Sequence, residues 1–74
     1  AVVNEMTIDE RMIAFGKRVR EVRKSKGISQ EKLAEMAGID RSYMGNIERG
    51  EKNVTLKKAY EICDALEVEI KDLV

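Results

Sequence analysis

The chain has no proline, no histidine and one cysteine among its 74 residues. A lone cysteine, Cys63, excludes an intramolecular disulfide, so packing must hold the core, and a reducing compartment suits such a chain. A membrane span needs about 18 consecutive apolar residues, and no such run occurs. We therefore expect a cytoplasmic protein without a membrane partner.

The same absences argue against an enzyme. The sequence has no histidine, no glycine-rich phosphate loop and no residues at metal-ligand spacing. Cys63 falls on the inward face of a predicted helix, which favours a core role over a regulatory thiol. At this length and 43% apolar content, the chain forms one small domain without a deep substrate cleft. We expect a binding protein with no metal, cofactor or small-molecule ligand.

Charge is balanced overall and unevenly distributed. The formal net charge is zero, yet residues 11–26 hold seven basic side chains against the single acidic Glu21. Acidic residues outnumber basic ones in the other segments. A basic first helix can present a positive face on a neutral protein, which keeps a nucleic-acid partner open.

Apolar spacing and capping residues predict an all-α fold of five helices. The first helix covers residues 9–25, and Ser29, Asp40 and Thr55 are N-caps for the next three. The segment "EIKDLV" can supply a short fifth turn or helix, and the chain as a whole is expected to form five helices. Inward positions are expected at Met12, Phe15, Val19 and Val22 in helix one, and at Leu56, Ala59, Tyr60, Cys63 and Leu66 in helix four. We assign residues 1–8 to an N-terminal extension and 9–74 to the domain.

Residues 30–49 meet the demands of two short helices crossing at a steep angle. Ala34 is small where the backbones approach, and Gly38 can take positive φ at the turn. Aliphatic residues on both helices face the domain body. Met44 and Ile47 set the buried direction of the third helix. At about 100° per residue, its far side carries Ser42, Gly45, Asn46 and Arg49, with Arg41 at the edge.

The segment "SQEKLAEMAGIDRSYMGNIERG" resembles the helix-turn-helix of the lambda-repressor/Cro-like (XRE-type) family. The similarity extends through "FGKRVREVRKSKG" and "NVTLKKAYEICDALEVEIKDLV". The segment "DRSYMGNIERGEKNVTL" most resembles the corresponding segment of controller proteins of restriction-modification systems. Family members often carry proline where this chain has Val54, which changes the stiffness of that loop.

The resemblance implies a compact five-helix domain that binds double-stranded DNA by sequence and regulates transcription. A homodimer would read an inverted-repeat operator, repressing or activating restriction-modification genes. Two alternatives within the fold are an antitoxin of a toxin-antitoxin pair and a phage-type repressor. A third is that helix three is merely a solvated surface.

We predict that three side chains of helix three read base edges in the major groove: Arg41, Ser42 and Asn46. Arginine suits guanine O6 and N7, and asparagine suits an adenine edge. The predicted backbone contacts are Gln30, Tyr43, Arg49, Lys52 and Asn53. Tyr43 also fits an ordinary half-buried ring, and plain solvation is the alternative for Arg49, Lys52 and Asn53.

The resemblance also implies roles away from DNA. Glu48 is expected to pair with Arg23 of helix one in a structural ion pair. Glu31 and Glu35 match acidic positions that some relatives use on the sigma factor of RNA polymerase, although such pairs are common on solvated helices. The expected dimer surface is Val68, Ile70, Leu73 and Val74, which could instead close the core of a single chain.

Overall fold

The computed structural model describes residues 5–74, so residues 1–4 of the predicted extension lie outside the described residues. Within this range the chain forms four α-helices: α1 (Ile8–Ser25), α2 (Gln30–Ala37), α3 (Arg41–Glu48) and α4 (Leu56–Leu66). A 3₁₀ turn at Ile70–Asp72 follows α4. The all-α class is confirmed. No helix in this part of the chain combines the length and the apolar character that a membrane crossing requires.

Side-chain caps begin each α-helix where local sequence places them. The Thr7 hydroxyl accepts from the backbone N–H of Glu10, whose carboxylate accepts from Thr7 N–H, forming a capping box. Further on, the predicted caps are confirmed: Ser29 accepts from Lys32, Asp40 from Ser42 and Tyr43, and Thr55 from Lys58. Each cap satisfies amide groups that lack a partner inside the helix.

The core lies where all four helices meet. α2 packs on α3 and α4, while α1 packs on α3. The fully buried large side chains come from every helix and from the C-terminal turn: Val19, Leu33, Met44, Ile47, Ile62, Leu66 and Leu73. The two short central helices depend on this burial, because helices of about 8 residues are unstable in isolation.

The fifth helix was predicted wrongly. Glu67 adopts the left-handed conformation (φ 58°) and ends α4. Beyond it, the amide of Asp72 donates to the carbonyl of Glu69 (2.9 Å) and that of Leu73 to Ile70 (3.0 Å). These i→i+3 bonds define a 3₁₀ turn, because so short a segment forms too few bonds to offset helix nucleation. Burial of Leu73 anchors the turn.

The inward face of α4 also differs from expectation. Leu56 and Tyr60 are 68% and 50% exposed, whereas Ile62, absent from the predicted stripe, is fully buried. Two sets of apolar residues on this helix have spacings that fit helical periodicity. The predicted set includes Leu56 and Tyr60, and the other includes Ile62. Packing against α2 selects the stripe that contains Ile62, so Leu56 and Tyr60 lie on the flank.

α1 and α3 approach so closely that only glycine fits at position 16. A Cβ there would overlap the carbonyl oxygen of Ile47 and lie 2.7 Å from that of Glu48. Both atoms belong to backbone near the end of α3, so neither can move without shifting the helix. Gly16 therefore sets the distance between the two helices.

Gly16→Ala should destabilise the domain by roughly 1–3 kcal/mol, because backbone overlap outweighs the helix propensity that alanine adds. Lys17→Ala, which introduces the same residue at an exposed neighbour, should change stability by less than about 0.5 kcal/mol. Urea unfolding followed by circular dichroism measures both. A Gly16→Ala variant as stable as the parent chain would contradict the close approach.

Candidate nucleic-acid interface

α2 and α3 are joined by a turn whose geometry depends on Gly38. This residue takes a left-handed conformation (φ 68°), which L side chains rarely adopt. The amide of Ile39 then donates to the carbonyl of Ala34 at 2.8 Å, and the Ile39 side chain enters the core. Ala34 is 2% exposed at the crossing. The turn therefore places α3 across α2 with its polar side outward.

A buried ion pair ties this unit to α1. Arg23 donates from Nε to Glu48 Oε2 at 2.8 Å and from Nη2 to Oε1 at 3.0 Å. Its Nη1 donates to the carbonyl of Ile28 at 2.9 Å. Gln30 Nε2 adds a 3.2 Å bond to Glu48 Oε1. Because Arg23 and Glu48 are each only 7% exposed, these bonds replace the water partners that the two charged groups lose on burial.

Arg41, Ser42, Asn46 and Arg49 line one shallow depression on α3, together with Gln30 from α2. Gly45 forms its floor. A Cβ at this position would lie 3.2 Å from Arg49 Nη1 and 3.4 Å from Gln30 Oε1, tight but against flexible side chains. The structure thus brings the three predicted base-reading residues to one face, beside two of the predicted backbone contacts.

Both arginines of this face form ion pairs with carboxylates. Arg41 Nη1 lies 3.1 Å from Glu31 Oε2 on α2, and both side chains are 68% exposed. Arg49, which follows α3, donates from Nε to Glu51 at 3.0 Å and from Nη2 to Asn46 Oδ1 at 2.6 Å. Neither arginine is buried, so DNA can compete with these contacts.

Tyr43 makes contacts within the chain, and its contact with the DNA backbone stays a prediction. Its hydroxyl donates to the backbone carbonyl of Asn53, and Lys58 Nζ lies 5.3 Å from the ring centroid. The half-buried ring packs against the core. Tyr43 therefore braces the loop that presents Lys52 and Asn53, both exposed, and its hydroxyl is already engaged in the free chain.

The helix-turn-helix family model (HTH_3) matches residues 19–73. The chain belongs to the helix-turn-helix family. This confirms the family expected from the residues of α2 and α3, together with the all-helical domain that it implies.

Relatives of this helix-turn-helix chain include regulators of restriction-modification systems. It is 46% identical over 69 residues to the control protein C.BamHI of Bacillus amyloliquefaciens, covering 92% of this chain and 84% of that protein. The crystal structure of the controller protein C.AhdI from Aeromonas hydrophila is similar, with a TM-score of 0.83, 46% identity and coverage of 85% and 96%. A structure of SinR in complex with DNA has a TM-score of 0.76 and 35% identity, covering 80% of this chain and 95% of that one.

Arg20 of α1 is a site residue that sequence reasoning did not select. It lines a second depression with Arg23, Gln30, Glu48 and Arg49, directly beside the first. Among residues 5–74 no carboxylate pairs with Arg20, and its side chain is exposed. The feature of the sequence that could have indicated Arg20 is its position on the basic face of helix one. The packing of α1 on α3 brings that position to the rim of the helix-turn-helix unit.

The predicted dimer surface needs one correction. Leu73 is 1% exposed within a single chain, so it belongs to the core and is not available to a partner. Val68 and Ile70 are half-buried, and Val74 is 85% exposed. Ile70 and Val74 line an apolar groove that continues over the starts of α1 and α4, where its other lining residues are Ile8, Met12, Phe15, Asn53, Val54, Leu56 and Ala59.

The described residues 5–74 contain no group of three or more side chains suited to hold a metal ion. Cys63 is buried, and this burial, with the nearby charges of Asp64 and Asp72, raises the pKa of the thiol. A raised pKa lowers the thiolate fraction at neutral pH. Cys63 is therefore placed as a core side chain.

Glu48→Ala should destabilise the chain by roughly 3–5 kcal/mol, because it leaves Arg23 buried without a counter-charge. Glu51→Ala is the matched control, since it removes a carboxylate that pairs with exposed Arg49 and should cost at most about 1 kcal/mol. Thermal unfolding of both variants measures the difference. Equal small losses would show that the buried pair does not hold α3 in place.

Proposed function

We propose that this chain is a sequence-specific regulator of transcription that binds double-stranded DNA in the cytoplasm and controls restriction-modification genes. The observation that carries the proposal is the polar face of α3, presented outward by a helix-turn-helix unit that the Arg23–Glu48 pair ties to α1. Similarity to control proteins supports restriction-modification genes as the target of regulation. Similarity to SinR, whose structure was solved in complex with DNA, supports DNA as the ligand. Family membership also accords with a protein that is not an enzyme.

α3 is the element that enters the major groove. Arg41 addresses guanine O6 and N7 with two donors, Ser42 reaches a neighbouring base, and Asn46 addresses an adenine edge. All three line the same exposed depression. The side chains of Arg49 and Gln30 cover Gly45 in the free chain, so the helix backbone can approach the base edges there once these flexible side chains move to phosphates.

Backbone contacts surround this reading face. Gln30, Arg49, Lys52 and Asn53 bind phosphates or sugars on one side, and Arg20 adds a phosphate contact from α1. Arg20 is suited to this role because no carboxylate within residues 5–74 neutralises it. Tyr43 contributes by holding Asn53 in position. Such contacts fix register and carry no sequence information directly.

A second copy of the chain completes the regulator. One module of this size makes few contacts, whereas a two-fold pair places two recognition helices about 34 Å apart on an inverted repeat. The apolar groove lined by Ile70 and Val74 is the pairing surface, together with half-buried Val68. Leu56 belongs to the same groove and is 68% exposed, which favours cover by a partner.

Activation would add a contact to RNA polymerase. Glu35 can meet the sigma factor, since its side chain is 72% exposed and, among residues 5–74, pairs only with Lys32 at 3.6 Å on the same helix. Glu31 would have to release Arg41 for the same contact. Of the two predicted acidic residues, Glu35 is therefore the better candidate.

Arg41→Ala should weaken binding to the preferred duplex by roughly 1–3 kcal/mol and relax preference at one base position. Arg20→Ala and Lys52→Ala should instead weaken binding to all duplexes alike and reduce the salt slope by about one each. Selection of bound oligonucleotides from a random pool supplies the preferred sequence, and fluorescence anisotropy over a salt series measures the affinities. Uniform weakening by Arg41→Ala would refute base reading by this residue.

Leu56→Lys should shift the chain from dimer to monomer, because a charge placed in an apolar interface is poorly solvated. Met36→Lys is the matched control: Met36 is also an exposed apolar residue, at 47%, and lies on a different face beside Glu35 and Glu61. Sedimentation velocity at micromolar concentration measures both variants. If Leu56→Lys sediments like the parent chain, the groove is not the pairing surface.

A further inference from the structure

A lysine outside the predicted site contacts the ring of Tyr43. Lys58 Nζ lies 5.3 Å from the ring centroid, which is within the range of a cation–π contact. Tyr43 belongs to α3 and Lys58 to the first turn of α4, so the contact joins the recognition helix to the helix that follows it. Lys58 is half-buried, as expected for a lysine whose aliphatic stem lies along other side chains.

Lys58 lies beside the flank of α3 that faces away from Gln30. At about 100° per residue, Tyr43 and Glu48 fall on opposite sides of the buried stripe of α3. Glu48 contacts Gln30 on one side, and Tyr43 contacts Lys58 on the other. A helix in the major groove has a sugar-phosphate backbone on each side of it. Lys58 therefore stands next to the backbone that Gln30 does not face.

The charge of Lys58 is not neutralised within the described part of the chain. Among residues 5–74, no ion pair includes Lys58 or its neighbour Lys57. Both lysines lie in the first turn of α4, which has no acidic residue, and the positive end of the helix dipole disfavours cations there. This placement lowers the local stability of the helix without an ion pair in return, which favours an anion outside the chain as the partner.

The ring can position the ammonium group of Lys58 without occupying all of its hydrogen-bond donors. An ammonium group has three N–H donors, and the face of a ring engages the charge from one side. The remaining donors are available to phosphate oxygens, so the contact with Tyr43 does not have to break when DNA binds. Because the side chain is already ordered in the free chain, it loses less conformational freedom on binding a phosphate.

We propose that Lys58 is a further phosphate-binding residue, which the ring of Tyr43 holds beside α3 in both the free and the DNA-bound chain. The proposal rests on the proposed function, since it requires that α3 enter the major groove of double-stranded DNA. It goes beyond that function because it adds a residue of α4 to the interface and gives the ring of Tyr43 a role that acts through Lys58. In this role Tyr43 is a positioning residue.

The adjacent lysine provides a matched control. Lys57→Ala and Lys58→Ala remove the same charge from the same turn of α4, and of the two only Lys58 contacts the ring of Tyr43. Lys57 is exposed and points about 100° away around the helix. Long-range electrostatic effects should therefore be shared by the two variants, whereas a phosphate contact should be lost in Lys58→Ala alone. Alanine favours the helix and removes a cation from its positive end, so both variants should stay folded.

The test measures binding of the 74-residue chain to two duplexes by fluorescence anisotropy over a salt series. One duplex is the operator selected by the parent chain from a random pool, and the other has the same base composition in scrambled order. Lys58→Ala should weaken binding to both duplexes about three- to tenfold near 0.1 M salt and reduce the salt slope by about one. Lys57→Ala should weaken binding by about twofold at most, because an exposed charge without a direct contact is screened.

Two outcomes of these measurements would overturn the phosphate contact. One is an equal effect of Lys57→Ala and Lys58→Ala on affinity and on the salt slope. The other is a changed base preference in Lys58→Ala, because a phosphate contact carries no sequence information directly.

Two substitutions of Tyr43 test the role of the ring. Tyr43→Phe keeps the ring and removes the hydroxyl that donates to Asn53, whereas Tyr43→Leu removes both. Adding Lys58→Ala should weaken binding by the same factor in the parent chain and in Tyr43→Phe, and by a factor about two- to fivefold smaller in Tyr43→Leu. Each double variant is compared with its own Tyr43 variant, so a general effect of the Tyr43 substitution cancels. An equal factor in all three backgrounds would overturn the proposal, because the ring would then not position Lys58.

The same measurements separate this inference from the proposed function. If the parent chain enriches no duplex from the pool, both fail together. If it prefers the operator and Lys58→Ala behaves like Lys57→Ala, the phosphate contact of Lys58 is refuted and the proposed function stands.

Discussion

The buried pair of Arg23 and Glu48 is the interaction on which the presentation of α3 depends. α3 has eight residues, too few to hold a helix in water without tertiary contacts. The bidentate bond from α1, with Gln30 of α2 on the same carboxylate, fixes its end against two other helices. Gly16 allows the approach that brings these groups together.

This arrangement separates structural charges from charges that face outward. Arg23 is buried and each of its three guanidinium nitrogens donates a hydrogen bond within the chain, so it holds the fold and is not presented to DNA. Arg41 and Arg49 are exposed and held by carboxylates that a ligand can displace. Arg20 carries no such partner within the described residues 5–74. A chain with zero net charge thus has one face that carries both arginines paired with carboxylates and an arginine without such a partner among residues 5–74.

Much of the fold was predictable because its signals are local. The caps at Ser29, Asp40 and Thr55 bond to amides two or three residues away, and Gly38 meets a backbone requirement of its own turn. The predictions failed where two local solutions were available. α4 offers two apolar stripes, and the segment after Glu67 is too short for its periodicity to distinguish an α-helix from a 3₁₀ turn. The sequence left two roles open for Leu73, the dimer surface and the core, and its burial assigns it to the core.

The amino-acid sequence alone was sufficient to predict an all-helical domain, its helix-turn-helix and the outward side of α3, because capping and periodicity act within a few residues. Only packing of separate segments decided that Arg41 pairs with Glu31, that Tyr43 bonds to Asn53, and that Arg20 lies beside Gln30. The two residues of each of these pairs lie ten positions apart in the sequence. Their partners depend on how whole helices cross, which no local pattern encodes.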